Sequence, residues 1–358
     1  MENRQKLWNI TKCAGSWISF CVGSGFATGT GIIQIYGPHG KMGLGIGLVG
    51  MAVMCFFAWA FTDTGFRGVC QNSMDLFEYY CGPHLGKAFK WLTIVFLFLS
   101  PLCMVSGFGA TLSQQWNVPA WMGAVFMAVL CLITVLLGLK KLVDIVGTVG
   151  PVIAVLSIVI GGYSLITNID GLAAGLEISK TVDIVKYNDS WFISGLLEAA
   201  WAPLILGPFV LSYSKTVESK TEARVGSVLG VIAYYAATAV IVLCYFCQYE
   251  QVSQNPIPTL YIVNSISPTL AAGFIVIVFL AVYSSAVPSQ FNFCDTFAKE
   301  GTGKYIAIAV ISILASCFAS FFIDFTILFN RIYVFFSYAS WVFIVCMIVK
   351  HVKLGLKR

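Results

Sequence analysis

The sequence predicts an all-α membrane protein with ten transmembrane helices. Of its 358 residues, 58% are hydrophobic and only 10% are charged, whereas a soluble domain carries roughly 25% charged residues. Apolar runs of about twenty residues, each long enough to cross a bilayer, recur along the whole chain. Lys and Arg gather in alternate loops between these runs. This composition excludes a soluble enzyme, a disordered chain and a nucleic-acid-binding protein.

Ten apolar runs separated by polar breaks define the predicted spans. They occupy most of the chain and leave no room for a separate soluble domain. The runs cover residues 13–36, 42–65, 87–111, 119–139, 142–166, 191–213, 224–247, 270–297, 304–322 and 325–349.

The basic residues predict how these spans are oriented, since cytoplasmic loops are enriched in Lys and Arg. With the N-terminus inside, the cytoplasmic segments hold 17 of the 21 Lys and Arg residues. The outside loops hold only Lys41, Lys180 and Lys186, and Arg331 lies within a span. We therefore expect a multi-pass protein of the cell (inner) membrane with both termini in the cytoplasm.

The twelve cysteines and three histidines do not form a recognisable metal or disulfide pattern. Nearly all the cysteines lie inside apolar runs, where cysteine behaves as a small hydrophobic residue. The pair Cys244 and Cys247 forms one CxxC, for which helix packing is the simpler interpretation. We expect no cofactor other than a coupling ion.

The first span contains glycines where a helix should be regular. Gly23, Gly25, Gly29 and Gly31 lie in its middle, and each costs about 1 kcal/mol relative to alanine. Non-helical backbone within a membrane persists only where it lines a cavity or is buried in protein. The glycines therefore predict a break that lines a cavity, although close helix packing would also use glycine.

The sixth span contains Pro203 and Pro208, which remove backbone donors, and Gly207 adds a further weak point, so that a second break is predicted between Ala200 and Pro208. The two breaks occupy corresponding places in two five-helix halves. An odd number of helices in each half makes the halves inverted relative to each other, and such paired breaks indicate a central transport site. The predicted organisation is a first repeat at 1–166, an extracellular loop at 167–190, and a second repeat with a cytoplasmic tail at 191–358. Ordinary kinks remain the alternative.

Ten helices with breaks in the first and sixth resemble the LeuT fold of the amino acid–polyamine–organocation superfamily. The stretch VGSGFATG at 22–29, with IIQIYG following it, is similar to the opening of bacterial YkvI-like membrane proteins. The resemblance covers the whole chain in topology and two or three short segments in sequence. It implies secondary transport by alternating access.

The eighth span carries the pattern Ala281-x-x-Ser284-Ser285. These positions share one helix face, so that a carbonyl and two hydroxyls converge. In sodium-coupled members of the LeuT fold, a similar pattern binds sodium together with two carbonyls of the first helix. The resemblance places those carbonyls at Ser19 and Val22. The alternative is that both serines only bond back to their own helix.

A second sodium site of the LeuT type is not expected. The resemblance places Phe26 and Trp201 where that site has polar ligands, which implies a single coupling ion.

Glu198 and Arg331 are the ionisable residues deep within predicted spans, and such residues usually mark function. Both lie about 9–11 Å from the outer surface at 1.5 Å per helical residue. We predict a salt bridge between them that gates the outer vestibule. A static ion pair is one alternative, and another is that Glu198 binds the ammonium group of a substrate.

The predicted substrate site surrounds the two breaks and the middle of the third span. The exposed backbone of the broken first span would suit a carboxylate, and Glu198 would suit an amine. The candidate residues are Gly23, Ser24, Gly25, Phe26, Ala27, Thr28, Ser100, Met104, Glu198 and Trp201.

These observations predict a sodium-coupled symporter of a small organic solute, an amino acid or another amine-bearing metabolite. A proton-coupled permease and a ligand-sensing receptor subunit of the same fold are the alternatives. We expect no enzyme, since the spans contain no nucleophile–base or metal-ligand set. The expected partners are the solute and the lipid bilayer, with no nucleic acid, and the expected state is a monomer or weak homo-oligomer.

Overall fold

The computed structural model describes residues 2–137, 143–214 and 219–355. All regular elements within these ranges are helices, which confirms the all-α prediction. Residues 138–142 and 215–218, which include the predicted cytoplasmic loop at 140–141 and part of the one at 214–223, lie outside the described residues.

Sixteen α-helices are described. They are α1 (Glu2–Cys21), α2 (Ser24–Thr28), α3 (Thr30–Tyr36), α4 (Gly43–Arg67), α5 (Asp75–Trp116), α6 (Ala120–Leu137), α7 (Val143–Thr167), α8 (Leu172–Ile178), α9 (Trp191–Ala200), α10 (Ala202–Ser214), α11 (Lys220–Cys247), α12 (Tyr249–Ser253), α13 (Pro258–Ile266), α14 (Pro268–Phe297), α15 (Gly303–Phe322) and α16 (Phe325–Gly355).

Seven helices within the described ranges are long and apolar enough to cross a membrane, or eight if a bent pair at Val152–Thr167 and Ile169–Ile178 is one span. The chain is therefore a multi-pass membrane protein. The ten-span count, the inverted repeat and the division into two halves stay predictions.

The helices pack as two groups. In the first, α4 and α11 pack together, with α1 against α11 and with α9 and α10 against α4. In the second, α5 packs against α6, α14 and α15. The short helix α2 contacts α5 and α14 of the second group. The first predicted break therefore lies where the two groups meet.

One end of the molecule, which we call the terminal face, carries the start of α1 and the end of α16. A buried carboxylate organises it. Asp63, at the end of α4, forms ion pairs of 2.6 Å with Arg67, 2.6 Å with Lys220 and 2.7 Å with Arg224. Three cations compensate this acid, and they fix the start of α11 against the end of α4.

The opposite end, which we call the loop face, carries α8, the segment 179–190, α12 and α13. Hydrogen bonds of the Gln114 and Thr30 side chains attach this layer to the helices beneath it. The side chain of Gln114 donates to the carbonyl of Ile257 at 2.9 Å and accepts from the Ile257 N–H at 2.8 Å. Thr30 Oγ1 donates to the carbonyl of Pro256 at 2.7 Å. The loop layer thus contacts the first span at α3, directly after the break.

Candidate transport site

The predicted break in the first span is present, and it consists of two interruptions. Gly23 separates α1 from α2 with extended backbone angles of φ −95° and ψ −164°. Gly29 separates α2 from α3 with φ 81° and ψ −5°, in the left-handed region that favours glycine. The span therefore crosses the middle of the molecule as three short pieces.

The predicted break in the sixth span is present only as a short interruption at Trp201, and the segment from Pro203 to Pro208 is helical rather than unwound. Only Trp201 separates α9 from α10, and its φ of −70° and ψ of −25° are helical. Pro203 lies in the first turn of α10, where a missing N–H removes no helical bond. Pro208 lies inside α10, which continues past it.

A cavity of about 110 Å³ lies at these interruptions, between the two helix groups. This volume is enough for several water molecules or part of a small solute. Its lining comes from α1 to α3, α5, α9 to α11, α14, α16 and the segment 179–190. The lining residues are Ser19, Phe20, Cys21, Gly23, Gly25, Phe26, Gly31, Ile32, Ile35, Tyr36, Leu97, Ser100, Met104, Tyr187, Glu198, Trp201, Ile205, Tyr234, Ser284, Ser285, Pro288, Ser289, Asn292, Phe329 and Tyr333.

Seven of the ten predicted substrate residues line this cavity. They are Gly23, Gly25, Phe26, Ser100, Met104, Glu198 and Trp201. The structure does not bring Ser24, Ala27 and Thr28 to the cavity wall, although all three are buried. Thr28 Oγ1 instead donates to the carbonyl of Ser24 at 2.6 Å and so stabilises the single turn of α2.

Glu198 is buried, with 3% of its surface exposed, and its carboxylate accepts a hydrogen bond from the hydroxyl of Tyr235. The hydroxyls of Tyr36 and Tyr234 lie near the same carboxylate. Gly50 of α4 makes room for this arrangement, because a methyl group at that position would overlap both Glu198 and Tyr235. The sequence therefore identified the acid but missed the tyrosines that surround it.

The predicted Glu198–Arg331 salt bridge is wrong for this structure. Arg331 is exposed, whereas Glu198 is buried among α3, α9 and α11. Consecutive residues on a helix point about 100° apart, so the inward position of α16 belongs to the preceding residue, Asn330. Depth along the span therefore did not show which side chains of α16 point inward.

Asn330 belongs to a buried polar network that closes the cavity toward the loop face. Its side-chain amide donates to Gln34 Oε1 at 3.4 Å and to the carbonyl of Lys186 at 3.1 Å. Gln34 donates in turn to the carbonyl of Thr326 at 2.9 Å. These bonds connect α3, α16 and the segment 179–190. An uncharged network thus stands where we predicted a salt bridge, and only the two amide side chains could have indicated it.

The cavity opens toward the terminal face. Tyr36, Tyr187 and Phe329, which line it on the side of the loop face, are all buried. Phe20, on the other side, is half-buried, and Asn292 is exposed. Since α1 reaches the cavity from the terminal face and α14 leaves the cavity toward that face, the less buried part of the lining lies on the side of the terminal face.

The predicted sodium ligands divide into two sets. Ser19, Ser284 and Ser285 line the cavity, but Val22 and Ala281 do not. The hydroxyls of Ser284 and Ser285 each donate to the carbonyl of Ala281 at 3.0 Å, as the alternative interpretation expected. A hydroxyl that donates its proton keeps its oxygen lone pairs, so both side chains can still accept a cation from the cavity.

Within the described residues, no group of three or more His, Cys, Asp and Glu side chains could hold a metal ion. The cavity instead combines one carboxylate with hydroxyls and aromatic rings. Sequence reasoning missed Tyr36, Tyr187, Tyr234, Phe329 and Tyr333 among its lining residues. For the tyrosines within the spans, the one signal was a hydroxyl inside an otherwise apolar run, as in the pair Tyr234 and Tyr235.

This arrangement of helices is the fold of known membrane transporters. Crystal structures of the manganese transporter of Eremococcus coleocola superpose on 95% of this chain and 78% of their own. A mutant of that transporter gives a TM-score of 0.55, and its complex with an aromatic bis-isothiourea substituted compound gives 0.54. Sequence identity is 12% in both cases, so the likeness shows the fold alone.

Sequence comparison points to one more relative. The chain is 23% identical over 310 residues to the uncharacterized protein YyaD of Bacillus subtilis (strain 168). The aligned residues make up 84% of this chain and 85% of that protein. No protein-family model matches the chain.

Proposed function

We propose that the protein is a secondary transporter that moves a small organic solute across the membrane by alternating access. The observation that carries this proposal is the cavity at the break of the first span. It lies between two helix groups, is closed toward the loop face and opens toward the terminal face. Relative movement of the groups would reverse that asymmetry, since α2 contacts the second group and α3, directly after it, contacts the first.

The proposed coupling ion is sodium, bound between the break at Gly23 and α14. The support is local geometry. Ser285 Oγ lies 3.8 Å from the position that a methyl group on Gly23 would occupy, so the broken backbone directly faces this hydroxyl. Ser19 and Ser284 also line the cavity. Val22 and Ala281 do not line it, and the Ala281 carbonyl already accepts hydrogen bonds from both serine hydroxyls, so the proposed ligands are Ser19, Ser284 and Ser285. Hard monovalent cations favour several such oxygens.

The proposed setting is the cell (inner) membrane, with the terminal face in the cytoplasm and the chain acting as a monomer or weak homo-oligomer. The excess of Lys and Arg in the segments at that face supports the orientation. With this orientation the cavity of the structure faces the cytoplasm. We also propose that the chain is related to the YkvI-like membrane proteins, and the support is the stretch VGSGFATG at 22–29.

Proton coupling through Glu198 is a second candidate. The observation that favours it is the burial of this acid in a cluster of tyrosine hydroxyls, an environment in which a proton is a natural counter-charge. In that case Glu198→Gln removes the dependence of uptake on a pH gradient and keeps any response to sodium. A receptor subunit that binds without translocation is distinguished by tight binding with no flux.

The test is uptake into proteoliposomes that contain the full chain. We expect saturable uptake of an organic amine or amino acid, driven by an inward sodium gradient and lost when choline replaces sodium. Ser285→Ala should reduce the sodium stimulation by about tenfold, equivalent to one hydrogen-bond-sized interaction of roughly 1.4 kcal/mol.

Ser16→Ala is the matched control, since Ser16 Oγ makes the same kind of bond, to the carbonyl of Lys12 at 2.9 Å, outside the cavity. It should leave the sodium stimulation unchanged. Uptake that is indifferent to sodium and to Ser285→Ala contradicts the coupling. Uptake of Mn²⁺ in place of any organic solute contradicts the proposed solute class.

A further inference from the structure

Glu198 is the single charged side chain among the described residues that line the cavity. Resting on the transport function proposed above, we propose that the solute is a small organic monocation, an amine without a carboxylate. Its ammonium group binds Glu198, and its apolar part lies against the aromatic wall of the cavity. This narrows the solute class, which the sequence left open between amino acids and other amines.

The first argument is charge. A carboxylate held inside a membrane protein is costly unless a cation or several donors compensate it. Tyr235 donates a hydrogen bond to Glu198, and the hydroxyls of Tyr36 and Tyr234 lie near it, but these three groups are uncharged and an ionised carboxylate offers about four lone-pair sites. No ion pair of Glu198 is present in the described part of the chain, in contrast to Asp63, whose three cations satisfy it. An ammonium group supplies the missing charge and up to three donors.

The second argument is what the cavity lacks for an anion. Its described lining residues contain no Lys, Arg or His. The carboxylate of an amino acid would leave water for a region that has no basic side chain, which is unfavourable without a paired cation. A sodium ion at Ser284 and Ser285 would be held by uncharged oxygens, which leaves the charge of Glu198 for the solute.

The third argument is the aromatic wall. Eight of the lining side chains are aromatic. Trp201 meets Tyr333 edge-on with 5.8 Å between ring centroids, and Phe26 lies 5.5 Å from Tyr234. Aromatic faces attract a cation within about 6 Å, most strongly where water is excluded. Trp201 lies three residues after Glu198, so ring and carboxylate approach the cavity from one helix end.

The test uses pairs of compounds that differ only in a carboxylate. Isobutylamine is compared with valine, and phenethylamine with phenylalanine. Binding to the full chain in detergent is measured by thermal shift over a concentration series, in sodium and in choline buffer. We expect each amine to stabilise the protein with an affinity at least about thirtyfold above that of its carboxylated twin, the scale of an uncompensated charge.

Glu198→Gln keeps the shape of the side chain and removes its charge, so it should abolish the shift by both amines. Glu177→Gln is the control, because this acid is exposed on α8 and paired only with Lys180, and the amine shifts should persist. If Glu198→Gln does not fold, the comparison of each amine with its amino acid on the unmodified protein still tests the proposal.

Equal or tighter binding of valine or phenylalanine, in either buffer, overturns the proposal. Flux of the preferred compound in proteoliposomes separates this result from a failure of the transport function. Amine binding without flux supports the site and contradicts transport, whereas flux of the amino acid supports transport and contradicts the monocation.

Discussion

The first and sixth spans were both predicted to be broken, yet they differ in what interrupts them. The first is divided at Gly23 and Gly29 into three pieces, with extended and left-handed backbone. The sixth is interrupted only at Trp201, whose backbone angles are helical. The first span therefore exposes peptide groups to the cavity, whereas the sixth presents two side chains, Glu198 and Trp201.

This difference shows that glycine and proline interrupt a membrane helix in different ways. Glycine permits backbone angles that no other residue adopts readily, so a glycine can end one helix and start another. Proline removes one donor but fixes φ near its helical value. At the start of a helix it is fully accommodated, and Pro203 occupies such a position.

Gly29→Ala should have the largest effect of the substitutions that test this comparison. A side chain in the left-handed region costs about 1–2 kcal/mol, and a methyl group here would also overlap the hydroxyl of Tyr245. We expect transport to be lost and the melting temperature to fall. Gly273→Ala is the control, since a methyl group there meets open space within α14. An active, stable Gly29→Ala protein would contradict the role given to this glycine.

Gly50→Ala should have the next largest effect. It changes the position of Glu198, the acid that the sixth span presents to the cavity. The added methyl group displaces Glu198 and Tyr235 at an overpacking cost of about 1–3 kcal/mol. Solute affinity should fall although the charge of the cavity is unchanged. Binding measured by thermal shift checks this, and an unchanged affinity would show that the position of Glu198 is not critical.

Asn330→Ala tests the closure that connects the broken first span to α16. It leaves Gln34 Oε1 and the carbonyl of Lys186 without a buried donor, at a cost of about 1–3 kcal/mol. The loop face should become more permeable, which is measured as faster dissociation of bound solute toward that side. Arg331→Gln, at the exposed neighbouring position, should change stability by less than about 0.5 kcal/mol. A larger effect of Arg331→Gln than of Asn330→Ala would instead favour the salt-bridge gate that the sequence predicted.

Pro203→Ala should have the smallest effect. At a position already compatible with proline, the change removes only the rigidity that proline gives to the unfolded chain, about 0.4–1 kcal/mol. Transport should be nearly unchanged. A loss of transport comparable to that of Gly29→Ala would show that the sixth span depends on a true break, as the sequence first indicated.

The sequence was a good guide wherever one residue type has one physical consequence. Long apolar runs predicted the helical membrane fold, the glycines of the first span predicted its break, and a charge within a span identified Glu198. The sequence was a poor guide to the direction in which a side chain points from its helix. Gln34 and Asn330 close the cavity because of the face they occupy, and a difference of one residue separates Asn330 from the exposed Arg331.

The tyrosines around Glu198 could not be predicted for a related reason. Tyr36 and Tyr235 are far apart in the chain, and they meet only because α3 packs against both α9 and α11. Apolar runs without a polar face give no information on which side of a helix meets its neighbour. Long-range packing therefore decided the part of the site that the sequence left open.

The most direct test of the transport site is a cryo-EM structure of the full chain with phenethylamine in sodium buffer. We predict density for the solute in the cavity, with its ammonium group against the Glu198 carboxylate and its ring beside Trp201, and a chain that remains interrupted at Gly23 and Gly29. An empty cavity at saturating phenethylamine, or a continuous helix through residues 22–29, would contradict it.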